Sequence, residues 1–297
     1  MTTPVEYRKP KFSRQTVQAY LFLLPALVLL LLFSVWPVGF GSFLAFTDFS
    51  LVKPLHWVGL DNFRYIFDNE MFITGMKNSL LFLLIVPFIQ VGAITLAVLV
   101  NNQLHGIRFF RAAYYVPVVT TVSVVGIMWG FMFHEQGTLN YLLLKIHAVN
   151  GPVGWLSDDS IAIFAIMFVT AWRGLGWYMV MYLAGLQSIP SEMQEAAVLD
   201  GANRWQRFWK ITVPMLYPTI MVCTIMSVLA ALKAYQEVDV LTQGGPMNST
   251  FTALYYAYDQ GLKHLKLPRG LAASMVVSLF CIGIALVCLR YLKPKHR

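Results

Sequence analysis

The residues of this sequence that are best suited to bind a polar solute lie inside one of its apolar runs. Trp172, Arg173 and Trp177 stand near the middle of that run, where hydrocarbon penalises a charge by about 3 kcal/mol. Aromatic rings pack on the apolar faces of sugar rings, and a guanidinium group can donate several hydrogen bonds to hydroxyl groups. The alternatives are that the tryptophans are packing residues and that Arg173 pairs with a partner subunit.

A second group of residues, between two apolar runs, has the pattern of two short helices joined by a turn. Ser191, with Gln194 three residues later, predicts the capped start of the first helix. Asp200 and Gly201 predict its end, because glycine readily takes the left-handed conformation common at helix ends.

The second of these helices is predicted to lie in the membrane interface. Asn203, with Gln206 three residues later, predicts its capped start. Trp205, Phe208 and Trp209 then recur at helical spacing on one side, where they can lie among lipid headgroups while basic neighbours face water.

Together the two helices indicate a surface that fits a groove in another protein. Ala196 and Ala197 share a face with Met193, and small side chains let two backbones come close. The carboxylate of Glu195 can meet a cation on the other protein. We therefore favour a docking surface over an ordinary loop.

The elements that position both groups are membrane helices. The chain has 297 residues, of which 58% are hydrophobic and 12% charged, and this is too apolar for an ordinary soluble domain. Its apolar runs approach or exceed the roughly 20 residues that a helix needs to cross a bilayer. We expect an all-α polytopic integral membrane protein with six transmembrane helices, the first of which is not a cleaved signal peptide. The six runs are about Ala19–Ala45, Asn78–Val100, Tyr114–Phe133, Ile161–Leu186, Ile211–Leu232 and Leu271–Leu292.

Basic residues concentrate on one side of these runs and predict the orientation of the chain. Short loops rich in lysine and arginine stay cytoplasmic, so both termini are expected in the cytoplasm. The bilayer explains the basic pI, and nothing indicates a nucleic-acid partner. The clusters placed inside are Arg8, Lys9, Lys11 and Arg14; Arg108 and Arg111; Arg204, Arg207 and Lys210; and Arg290, Lys293, Lys295 and Arg297.

No catalytic or metal-binding constellation is evident. Cys223, Cys281 and Cys288 all lie in apolar runs, and the histidines form no ligand pair, so no metal is expected. The phosphate-binding pattern GxxxxGK[ST] does not occur, so this chain cannot hold ATP by that route.

The outer segments carry weaker signals. Phe63, Ile66 and Phe67 predict a short surface helix. Gly126 and Gly130 would let another helix approach closely. The stretch 244–246, Gly-Gly-Pro, predicts a turn, after which residues 252–262 can resume as a helix.

The segment "EAAVLDGANRWQRFWKITVP" closely resembles the EAA signature of permease subunits of ATP-binding cassette (ABC) importers. Val213 replaces the usual leucine, a mild departure. The stretches "WVGLDNFRYIF", "LAGLQSIP" and "LTQGGP" also resemble the sugar-permease branch, which includes maltose and glycerol-phosphate permeases. The likeness extends over nearly the whole chain. The signature positions that match are Glu195, Ala196, Ala197, Gly201, Ile211 and Pro214.

The resemblance implies a MetI-like permease core and a division of labour between subunits. A second homologous permease, two copies of an ATP-binding subunit and an extracytoplasmic sugar-binding protein are the implied partners. ATP and magnesium would be held by the ATPases, and this chain would bind no cofactor. The residues implied to couple to the ATPase, within a loop at 188–213, are Glu195, Ala196, Ala197, Asp200 and Gly201.

The resemblance also implies a substrate path. Alignment with the maltose permease places Trp172, Gly174, Trp177 and Ser227 at positions that line its sugar site, and Arg173 lies among them. Asparagines of that permease are replaced here by Thr170, Ala231 and Ala234, so the sugar is left open.

These inferences divide the chain into four parts. They are a cytoplasmic tail (1–18), the first helix with an extracytoplasmic segment (19–74), a five-helix core (75–292) and a second cytoplasmic tail (293–297). The expected location is a bacterial or archaeal cytoplasmic membrane. A glycerol-3-phosphate importer is the nearest alternative. An ion-coupled secondary transporter or a membrane enzyme is less favoured, because no run interior carries Asp or Glu and no buried Ser/His/Asp set occurs.

Overall fold

The structure, a computed structural model, describes residues 14–50, 54–101 and 106–292. The regular elements of these residues are helices, which confirms the all-α expectation. The predicted tail charges at 8–11 and 293–297 lie outside the described residues. The helices are α1 (Thr16–Leu44), α2 (Asp61–Phe67), α3 (Glu70–Val100), α4 (Ile107–Val119), α5 (Val122–Phe133), α6 (Thr138–Lys145), α7 (Ala162–Gln187), α8 (Ser191–Leu199), α9 (Arg204–Leu232), α10 (Gln236–Leu241), α11 (Ala253–Tyr258) and α12 (Leu267–Tyr291).

Five of the described helices, α1, α3, α7, α9 and α12, are each long and apolar enough to cross a membrane. A sixth span requires α4 to act together with the segment Val122–Lys145, which contains α5 and α6, although the two are bent by 100° at the break between them. The prediction of one helix over Tyr114–Phe133 is therefore wrong. The reason is local, because Thr120 and Thr121 both take extended backbone conformations and end α4.

The second span begins earlier than its apolar run. Asn69 caps α3 by accepting a hydrogen bond from the backbone N–H of Met71 at 3.0 Å. The helix therefore starts inside the stretch assigned to the extracytoplasmic segment. The predicted surface helix is present as α2, but Ile66 on it is fully buried against the rest of the chain.

The core lies where α3, α7 and α9 pack together, and α11 and α12 complete it. Phe82 on α3 and Tyr182 on α7 are fully buried there. By contrast, the most apolar stretch of α1 buries none of its residues inside the chain. A helix that is apolar all round and unburied is suited to contact with lipid or with another membrane subunit.

Candidate functional site

A cavity of about 660 Å³ opens between α7, α9, α10 and the end of α4. Its surface is mostly apolar but carries a set of polar and aromatic side chains. This combination suits a hydroxyl-rich solute, because rings can stack on sugar faces and polar groups can hydrogen-bond to hydroxyls. The polar and aromatic residues of the lining are Thr170, Arg173, Trp177, Tyr178, Ser227, Lys233, Tyr235, Gln236 and Glu237.

Arg173 forms an ion pair inside the chain. Its Nη1 donates to Oε1 of Glu237 at 2.6 Å, and the two side chains are 20% and 11% exposed. Arg173 therefore does not need a partner on another subunit to neutralise its charge. Removing one member of such a buried pair is expected to be strongly destabilising, because it strands the other charge.

The short helix α10 brings Glu237 to this position. Val240 on α10 sits against Gly126 on α5, where an added Cβ would lie 2.3 Å from Val240 Cγ1. Gly126 therefore permits a close helix approach, as predicted, whereas no described atom lies within 4 Å of a Cβ added at Gly130. Two helices can approach this closely only where a glycine leaves the room.

A second ion pair holds the other side of α10. Lys263 Nζ lies 2.6 Å from Asp239 Oδ1 and 2.9 Å from the hydroxyl oxygen of Tyr255. Burial alone would lower the pKa of Lys263, but its hydrogen bonds to Asp239 and Tyr255 outweigh that effect and raise the pKa above its ordinary value. Helix α10 is thus fixed to α5, to α7 and to the segment before α12.

The two predicted tryptophans have different surroundings. Trp177 lines the cavity and is 40% exposed. Trp172 is not among the lining residues, and its ring instead packs edge-on against Trp129, with centroids 5.4 Å apart. Gly174 lines the cavity, and Ile89 lies close enough to contact a Cβ added there.

Ser227 lines the inner end of the cavity but is only 2% exposed. Its hydroxyl donates to the carbonyl of Thr224 at 2.9 Å and accepts from Gln90 Nε2 at 2.7 Å. Gln90 also accepts a hydrogen bond from the hydroxyl of Tyr182. This buried network joins α3, α7 and α9, and it uses the donor and one acceptor position of the Ser227 hydroxyl within the protein.

The predicted docking loop is formed by α8, a turn and the start of α9. Ser191 was predicted as the N-cap of α8, but Pro190 holds that position and no side-chain cap is made. A capping box cannot form there, because proline has neither a backbone N–H nor a side-chain oxygen to contribute; the side-chain amide of Gln194 instead donates to Thr212 Oγ1 at 3.3 Å. The predicted end is confirmed, since Gly201 has a φ of 76°.

The signature residues differ in accessibility. Glu195, Ala196, Asp200 and Gly201 are exposed, whereas Ala197 is buried. Leu199 next to them is 88% exposed, which leaves an apolar side chain without cover on this loop. The loop therefore offers a carboxylate beside an apolar surface.

The second predicted helix of the loop is the start of α9 and not a separate element. The capping box of Asn203 and Gln206 is present as predicted. Trp205, Phe208 and Trp209 pack on one another with ring centroids 5.2–6.4 Å apart. A π-helical turn at Phe208–Thr212 joins this start to the rest of α9 without a break.

Sequence reasoning did not single out three of the polar residues described above. Glu237 and Lys233 follow the run Ile211–Leu232 and were given no role, and Gln90 lies within the run Asn78–Val100. A glutamine inside such a run is a signal for a buried hydrogen-bond network. Glu237 gave no comparable signal, because its position depends on how α10 folds back.

The comparisons place this chain among transport permeases. Residues 72–295 match the family described as "Binding-protein-dependent transport system inner membrane component". The lactose transport system permease protein LacF of Rhizobium radiobacter is 34% identical over 82% of this chain and 83% of its own. The sn-glycerol-3-phosphate transport system permease protein UgpA of Agrobacterium fabrum is 28% identical over 93% of this chain and 94% of its own.

A solved structure has the same fold. It is a bacterial alginate ABC transporter in complex with an alginate pentasaccharide-bound periplasmic protein, with a TM-score of 0.82 and 24% identity over 94% of this chain and 95% of its own. The two chains thus share one helical fold. The chain therefore belongs to the binding-protein-dependent transport system inner membrane components, and it is a multi-pass permease subunit of an ABC importer.

Proposed function

We propose that this permease imports a sugar that an extracytoplasmic binding protein delivers. The pathway would be completed by a second homologous permease and driven by two copies of a separate ATP-binding subunit, which hold the ATP and magnesium. The names of the relatives support this proposal, because they include a lactose permease and a transporter with a saccharide-loaded periplasmic protein.

The observation that carries the proposal is that the cavity and the exposed loop are built on the same two helices. Helix α7 contributes Trp177 to the cavity wall and leads into α8, and α9 leads from the loop back to Ser227. Because rigid helices transmit displacements along their length, a partner that moves the loop also moves the cavity walls. The proposed coupling residues are Glu195, Ala196, Ala197, Asp200 and Gly201.

The ion pair favours a sugar over glycerol 3-phosphate. A phosphate site is usually built from uncompensated arginines that donate in a bidentate manner. Here Glu237 already accepts from Arg173. The proposed substrate path retains Trp172, Arg173, Gly174, Trp177 and Ser227, but with different roles. Trp177 and Arg173 contact the solute, whereas Trp172 and Ser227 support the wall.

Replacing Trp177 by alanine is expected to lower sugar uptake about tenfold, because it removes an exposed ring that can stack on the solute. The measurement is ATP-dependent uptake into proteoliposomes that contain the complete importer. The solute is the radiolabelled sugar that the purified binding protein retains. Trp36→Ala is the matched control, since Trp36 is 68% exposed on α1, away from the cavity. Equal uptake by the two variants would remove Trp177 from the path.

We propose that both termini lie in the cytoplasm. The basic clusters support this orientation, and a reporter at the carboxyl end tests it. A green fluorescent protein fused after Arg297 is expected to fluoresce, and alkaline phosphatase fused there is expected to be inactive. Moving each fusion point to Lys145, on the other side of the predicted membrane, should reverse both signals. Active phosphatase at the carboxyl end would contradict the orientation and the position of the proposed ATPase site.

A further inference from the structure

The ion pair in the cavity wall has hydrogen-bonding groups to spare. Within the described residues, the side chain of Arg173 makes one hydrogen bond, from Nη1 to Oε1 of Glu237. A guanidinium carries five N–H donors and a carboxylate two acceptor oxygens. Unused donors and an acceptor therefore stand side by side in the lining of one cavity.

A pair of neighbouring hydroxyl groups matches this arrangement. One hydroxyl can donate to a carboxylate oxygen while its neighbour accepts from the guanidinium, so a vicinal diol satisfies both partners at once. The diol brings no net charge, and the ion pair stays intact when it binds. A carboxylate or phosphate would instead be repelled by Glu237 and would have to compete with it for Arg173.

The other charges near the cavity do not reverse this preference for a neutral diol over an anion. Lys233 also lines the cavity, but it is exposed at the end of α9, where water screens its charge. Asp239 and Lys263 neutralise each other and do not line the cavity. Arg173 is therefore the one partly buried cation of the described lining, and Glu237 cancels it.

We propose that Glu237 is a specificity-determining residue of the importer. By neutralising Arg173 it makes the cavity select uncharged, vicinal-diol-bearing saccharides and reject acidic ones. This inference rests on the proposed function, and it adds a residue, a ligand class and a reason for the exclusion of anions. The residue acts only when α10 is held against α5 and α7, because no other described element brings a carboxylate to Arg173.

The test measures solute binding directly, so that the selectivity of the binding protein does not intervene. The complete importer, without its binding protein, is placed in lipid nanodiscs. Saturation-transfer NMR is then recorded with an equimolar mixture of glucose, galactose, lactose, glucuronate, galacturonate and glycerol 3-phosphate. The ratio of acidic to neutral saccharide signal is compared between the wild-type importer and the variants.

Glu237→Gln is expected to raise the acidic-to-neutral ratio by about tenfold or more, because it frees a cation of the cavity wall. The matched control is Asp239→Asn, which removes a carboxylate from the same helix and frees Lys263 outside the cavity, and its ratio is expected to stay within about twofold of the wild-type value. In the double variant Arg173→Gln/Glu237→Gln the acidic-to-neutral ratio is expected to return to near the wild-type value, since the increase requires the freed guanidinium.

The outcomes separate the two proposals. The role of Glu237 is overturned, and sugar import stands, if the wild-type importer binds neutral saccharides and the acidic-to-neutral ratio of an assembled Glu237→Gln variant does not rise. The same conclusion follows if Asp239→Asn raises this ratio equally. A wild-type importer that prefers the uronates also overturns the role. A wild-type signal from glycerol 3-phosphate alone overturns the proposed function itself.

A variant that keeps the charge covers the case in which Glu237→Gln does not assemble. Glu237→Asp withdraws the carboxylate by one methylene group but still neutralises Arg173. The neutral signal is expected to fall while the acidic-to-neutral ratio stays low. An unchanged neutral signal, or a ratio that rises as strongly as expected for Glu237→Gln, would contradict the proposal.

Discussion

Replacing Glu195 by lysine is expected to abolish ATP-driven uptake while the permease still folds and inserts. Glu195 is exposed on α8 and no described ion pair includes it, so the folded chain loses little when its charge is reversed. A charge that meets a cation across a subunit interface behaves differently, because reversing it replaces attraction by repulsion. We expect a loss of more than about 30-fold in uptake, which corresponds to about 2 kcal/mol or more.

The matched control for this prediction is Glu192→Lys. Glu192 is exposed on the same short helix, one turn earlier, and has the same charge. Both variants are compared for membrane insertion, for co-purification of the ATPase and for uptake. Loss of uptake and ATPase from the Glu195 variant alone supports the coupling surface. A Glu195 variant that transports normally with its ATPase bound would contradict it.

The start of α8 shows where prediction from the sequence fails. Capping at Asn203 and the end at Gly201 were predictable because both depend on residues within one helical turn. The cap at Ser191 was equally local in pattern, but the helix begins one residue earlier, with Pro190 at the N-cap. Ser191 is therefore already inside the helix, and its side chain makes no cap.

The residues of the candidate site likewise divide into those that the sequence could reveal and those that it could not. Trp177 and Arg173 could be found because a charge and an aromatic ring stand out in an apolar run. Glu237 could not be assigned to the site, because its approach depends on Val240 fitting against Gly126, a contact between residues far apart in sequence. The break at Thr120 also escaped prediction, because the residues on both sides of it are apolar and the hydrophobic pattern keeps the same period across it.

Replacing Gly176 by alanine is expected to give the largest loss of stability of any single methyl group added to this chain's spans. Gly176 faces α4, and a Cβ there would lie 2.0 Å from the carbonyl oxygen of Tyr114 and 3.0 Å from a methyl group of Val118. A backbone oxygen cannot rotate away, so α4 has to shift as a whole. We expect a loss of about 3 kcal/mol, at the upper end of overpacking costs.

The measurement is the thermal unfolding of the detergent-purified chain, with Gly130→Ala as the matched control. Gly130 is also helical, but nothing lies within 4 Å of an added Cβ, so alanine there should leave stability unchanged or raise it slightly through helix propensity. Because Val118 belongs to the cavity lining, a shift of α4 also displaces a wall of the cavity. The Gly176 variant should therefore lose sugar uptake at temperatures where it is still folded. A melting temperature equal to that of the Gly130 variant would show that α4 does not pack against α7 as described.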